Sequence, residues 1–200
     1  AVHEIKNVGN FGKLVHHEWT ARHVRTPNGL WEVVIGGGRF VSAPEPRANQ
    51  TLSLCGLIPL LRSARFSTEL GGTIDTRLRV KSLRTDSTRL CAPGPDAAFD
   101  YQVESELQTK STGMFRQTTT RTLSSDVRCR AAGESRPASE LATGLNGQYL
   151  PVSCESVSNG SDKVNLRFAF VDQLGVYLVL TESARHAETT THYKELAIRQ

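Results

Sequence analysis

The sequence predicts a mainly β protein, a large antiparallel sheet forming a sandwich or part-barrel with one or two short helices. Two runs of alternation and the composition predict it. From 99 to 107, Phe99, Tyr101, Val103 and Leu107 fall on odd positions, and Asp100, Gln102, Glu104 and Glu106 on even ones. From 163 to 170, Val164, Leu166, Phe168 and Phe170 alternate with Lys163, Asn165 and Arg167. Successive side chains of a strand point to opposite faces, so each run marks a sheet with one dry and one wet side. The hydrophobic fraction is 38 %, and Ser plus Thr number 36 among 200 residues. Threonine's branched Cβ suits the pleat.

The elements follow in order. Residues 13–25 and 30–35 read as a hairpin around Thr26-Pro27-Asn28-Gly29, which supplies turn chemistry. One hairpin cannot bury a core, so residues 1–41 are expected to complete the main sheet. Residues 42–50, with Pro44 and Pro46, form a linker-like loop, and 51–200 form the main body of a single β-rich domain. Residues 51–70 fit two readings. Leu52, Leu54, Leu57, Ile58, Leu60 and Leu61 suit a short helix, against which stand Gly56 and Pro59; a buried strand followed by a turn fits as well. Residues 73–83 alternate cleanly as a strand. Ala92-Pro93-Gly94-Pro95-Asp96 is a rigid loop. Strands at 99–108 and 114–123 form a hairpin, and a further strand at 125–130 carries Cys129. Pro137 and Gly144 bracket one short helix, 137–144. Strands at 148–157, 163–172, 176–183 and 188–198 form an antiparallel meander. The stretch 176–181 is apolar on both parities and is expected to be covered on both faces.

Charge and cysteines narrow the class. The formal charge is +4 and the pI about 9.0. The basic residues are spread among acids rather than gathered in a block, so no nucleic-acid partner is expected. The longest apolar stretch, Leu52 to Leu61, is too short to span a bilayer, so no membrane span is expected. Cys55, Cys91, Cys129 and Cys154 form no Cys-x-x-Cys pair. An even count at wide spacing fits two disulfides in an oxidising compartment. Cys129 and Cys154 both share a parity with apolar neighbours, so the expected pairs are Cys129 with Cys154 and Cys55 with Cys91. The chain opens on Ala1 and holds one methionine, Met114, so either a signal peptide was removed or the start was trimmed; together with the cysteines this favours export, periplasmic or secreted.

The candidate sites carry little chemistry. Arg77, Arg79 and Lys81 form a basic row on one face, with Arg84 beyond, suited to an anionic partner. The same row is merely a solvated face if strand 73–83 lies beside Asp100, Glu104 and Glu106 and is neutralised by them. His16, His17 and His23 are candidate metal ligands, although no His-Glu-x-x-His spacing is present. No Gly-x-Ser-x-Gly or Ser-x-x-Lys occurs, and no cofactor is expected. The leading expectation is an exported, non-enzymatic protein that binds another macromolecule, of cell-envelope or inhibitor/immunity type, with a protein partner. A second reading is a carrier of an apolar ligand or lipid in a curved-sheet cavity. A third is a hydrolase using His16, His17, His23, His186 or His192.

Overall fold

The structure is a computed structural model that describes residues 2–6, 14–18, 20–36, 49–67, 72–85, 89–112, 116–159, 162–185 and 187–193. These form one large antiparallel sheet. Its strands are β1 (Val2–Lys6), β2 (Leu14–Glu18), β3 (Thr20–Arg25), β4 (Trp31–Gly36), β5 (Asn49–Leu54), β6 (Ile58–Ser67), β7 (Thr73–Arg84), β8 (Ala98–Thr112), β9 (Gln117–Ala131), β10 (Arg136–Pro137), β11 (Gln148–Ser158), β12 (Asp162–Val171), β13 (Val176–Ala184) and β14 (Ala187–His192). The hydrogen-bonded order is β2-β1-β14-β13-β12-β11-β9-β8-β7-β6-β5-β4-β3, with β10 beside β11.

Turn chemistry explains the connections. Between β3 and β4 the Thr26 N–H donates to Leu30 O (2.8 Å) and the Gly29 N–H to Thr26 O (2.9 Å), with Gly29 at φ +78°. Residues 51–54 and 58–67 are strand rather than helix, joined by a turn. Cys55 and Gly56 both take positive φ, and the Leu57 N–H donates to Leu54 O (3.0 Å). Two successive left-handed residues are what a tight hairpin turn needs, because they match the right-handed twist of the flanking strands. Pro59 then sits at the start of β6, beside the register shift between Leu52 and Ser53 of β5.

Three sequence expectations change. Within the single strand expected over 13–25, the described residues form two strands with different neighbours: β2 pairs with β1, whereas β3 pairs with β4. The strands expected at 114–123 and 125–130 are one fifteen-residue strand, β9. The helix expected over 137–144 shrinks to a three-residue 3₁₀ turn, Ala138–Glu140. Gly144 and Gly147 at φ +87° and +82° redirect the chain, and so short a segment gains too few hydrogen bonds to offset nucleation. The Ala138 N–H instead donates to Gly147 O (2.9 Å). Much of the expected linker, and residues 194–198 of the last expected strand, lie outside the described residues.

The chain packs as two compact units. The first comprises Ala1–Glu18, Arg84–Gln102 and Ser125–Gln200, the second Trp19–Leu83 and Val103–Ser124. In the first, β11–β14 form the expected meander. One face buries Val127, Cys129, Leu150, Val152, Cys154, Phe168 and Phe170. Tyr177 stands edge-on to Phe168 (centroids 5.9 Å apart) and tilted against Phe170 (4.9 Å), a favourable aromatic geometry. Tyr149, Ala169, Val171, Val176 and Leu178 are buried on the opposite face. There the segment 138–145 lies over the sheet: Ala138, Ala142 and Leu145 are themselves buried, and the Tyr149 hydroxyl donates to Glu140 Oε2 (3.4 Å). The start of β13 is therefore buried on both sides, as its unbroken apolar run implies. Cys129 and Cys154 face each other across β9 and β11 and are joined by a disulfide. Cys55 and Cys91 are also disulfide-bonded, and no described cysteine is free. In the second unit Trp31, Leu57, Ile58 and Ala64 are buried, and the Ser53 hydroxyl donates to Trp31 O (3.2 Å).

Candidate anion-binding face

The basic row lies on β7, where alternation leaves Arg77, Arg79 and Lys81 exposed and turns Ile74, Leu78 and Val80 to the other side. The register with β6 sets Arg65 opposite Asp75, Ser63 opposite Arg77 and Leu61 opposite Arg79. Arg65 donates from Nε and Nη2 to the two carboxylate oxygens of Asp75, a fork that also raises the arginine's pKa above its ordinary value. On the other side runs β8. There the Thr73 N–H donates to the Thr112 hydroxyl oxygen (3.1 Å), and Lys81 Nζ lies 3.1 Å from Glu106 Oε2.

Asp75 and Glu106 thus occupy Arg65 and Lys81. Arg77 and Arg79, between them, make no ion pair among the described residues, and neither does the exposed Lys110 of β8. Of the three acids expected to neutralise the row, only Glu106 forms an ion pair with β7 among the described residues. Ser63, Arg65, Asp75, Arg77, Gln108 and Lys110 line an open cleft of about 410 Å³. Its lining combines unpaired cations, a hydroxyl and an amide, a donor set for carboxylate or phosphate oxygens. Arg84, the last residue of β7, belongs to the first unit rather than to this cleft.

The histidines are distributed differently. His16 and His17 lie on β2, in register with Glu4 and His3 of β1, and His192 lies in register with Val2. His23 is on β3, in register with Val33 of β4, so strand pairing does not bring it to His16 or His17. Burial lowers its pKa below the ordinary histidine value. His186 lies outside the described residues. No group of three His, Cys, Asp or Glu among the described residues is placed to hold a metal ion.

A second set of arginines escaped the sequence reading. Residues 125–130 were read for Cys129 alone, yet the parity that buries Val127 and Cys129 exposes Arg128 and Arg130. The register sets Arg130 opposite Ser153, which is also opposite Arg167. Parity was a sufficient signal for exposure; the convergence needed the strand order.

No family model, no curated protein and no solved structure matches this chain. Sheet, disulfides and cationic faces therefore define its class: an all-β, disulfide-linked protein with exposed arginine rows. No helix among the described residues is long and apolar enough to cross a membrane.

Proposed function

We propose that this is a non-enzymatic binding protein, periplasmic or secreted, whose target is an acidic segment of another protein laid along β7. The observation that carries this reading is the contrast within one sheet face. Arg65 and Lys81 have carboxylate partners of their own, while Arg77, Arg79 and Lys110 have none among the described residues. Same-face residues on a strand stand roughly 6–7 Å apart, so an extended segment with an acid at every second position matches the spacing of Arg77 and Arg79. Arginine binds carboxylate bidentately and specifies orientation as well as charge. The disulfides support an oxidising compartment.

The test uses the full chain and a synthetic peptide alternating Glu with Thr. Binding is expected to saturate and to weaken as salt rises. Replacing both Arg77 and Arg79 by Gln is expected to weaken it by about tenfold or more, as for the loss of charge-assisted hydrogen bonds. Equal affinity of wild type and double variant, or no saturable binding at physiological salt, would overturn the proposal.

A further inference from the structure

In the first unit, we infer that Arg130 and Arg167 clasp a tetrahedral oxyanion, a phosphate or sulfate group, over the Ser153 hydroxyl. The register places Arg130, Ser153, Arg167, Thr181 and Thr190 in one row across β9, β11, β12, β13 and β14. Neighbouring strands are about 4.8 Å apart, which puts the two arginine backbones roughly 10 Å from each other on either side of Ser153. All three residues are exposed. The first acid along the row is Glu4 of β1, opposite Thr190 and three strands from Arg167, and neither arginine has an ion pair or hydrogen bond among the described residues. Glu155, one row away and opposite Arg128, is engaged by Lys163 at 3.2 Å.

Two arginines flanking one serine in the same row repel each other without a counter-charge, and a bound anion relieves that repulsion. The geometry selects the anion's shape. A planar carboxylate is satisfied by one arginine fork, whereas a tetrahedral group presents oxygens to two forks and a third to the hydroxyl. The adjacent row holds Ala169 and Leu178, 0 % and 2 % exposed, at the edge of the part of the sheet covered by residues 138–145. The residues differ from those of the β7 face, so this inference stands or falls apart from the proposed function.

The test is an amide chemical-shift titration of the full chain with inorganic phosphate, against sodium chloride at matched ionic strength. Saturable shifts on the strands carrying Arg130, Ser153 and Arg167 are expected. Arg130→Gln and Arg167→Gln should each weaken binding by about tenfold or more, Ser153→Ala should weaken it less, and Arg25→Gln, an exposed arginine of β3, should leave it unchanged. Parallel titrations with inorganic sulfate and with O-phosphoserine separate a general tetrahedral site from one for phosphate monoesters. An unsaturable response, or equal affinity of wild type and both arginine variants, would overturn the inference.

Discussion

Tyr177 and Tyr101 are chemically alike, and their surroundings are not. Both belong to the first unit and are 2 % and 6 % exposed, and burial raises the pKa of both hydroxyls. The Tyr177 hydroxyl donates to Leu90 O at 2.7 Å, whereas that of Tyr101 has no hydrogen-bond partner among the described residues. A buried hydrogen bond contributes about 1 kcal/mol net, while an unpaired buried hydroxyl is a cost. Tyr177→Phe is therefore expected to lower stability in urea melts by about 1 kcal/mol, and Tyr101→Phe to leave it unchanged or raise it. His23 extends the argument to pH. Its folded pKa lies below its ordinary value of 6.5, so the unfolded chain binds the proton first. This contribution is fully present above the unfolded value and declines as pH falls below it, towards the folded pKa. His23→Gln is expected to flatten the acid limb of a stability-against-pH profile; an unchanged limb would refute the assignment. What the sequence disclosed at this scale was parity. It placed Arg77, Arg79 and Lys81 on one face, but which of them stayed unpaired depended on Asp75 meeting Arg65 and Glu106 meeting Lys81, facts of register.

At the scale of elements, local periodicity carried most of the information. The strand at 73–83 and the meander from 148 onward were legible because alternation continues over many residues and each turn has its own chemistry. The N-terminal strands show the limit. The stretch 13–25 has one continuous strand signal, and nothing local specifies that its two halves pair with different neighbours. The expected helix at 137–144 shows another: proline and glycine correctly marked a break in the sheet, but the glycines serve as turns. Gly147 is the test. A Cβ there would come within 2.7 Å of the Gln173 side chain, a flexible and exposed group that can move aside. The backbone at φ +82° cannot relax so readily, and a left-handed conformation costs an ordinary residue about 1–2 kcal/mol. Gly147→Ala is expected to lower stability by about that amount. Gly94→Ala, where φ is ordinary and a Cβ meets nothing within 4 Å, should be close to neutral. Equal effects at both positions would place the strain elsewhere.

At the scale of the whole molecule, two strands bear on cooperativity. β8 belongs to the first unit through Gln102 and to the second from Val103, and β9 changes unit between Ser124 and Ser125. Neither strand is interrupted at the change. Fraying one half of a continuous ladder removes the hydrogen-bond partner and side-chain neighbours that hold the next residue, so loss of order in one unit is expected to propagate along these strands. The Cys129–Cys154 disulfide offers a perturbation confined to the first unit. It closes a loop with a sequence separation of 25, for which chain-entropy arguments give about 3.5 kcal/mol. Cys129→Ala with Cys154→Ala is therefore expected to destabilise the first unit by about 2–4 kcal/mol. Trp31 is buried in the second unit, so its fluorescence, followed in a Trp19→Phe background, reads out a part of the chain that was not altered. Cooperative unfolding requires the tryptophan midpoint to fall with that of the altered unit, and to coincide with the transition followed by circular dichroism of the sheet. If the tryptophan transition stays at its wild-type midpoint while the sheet signal splits in two, the two units unfold independently and the continuity of β8 and β9 does not couple them.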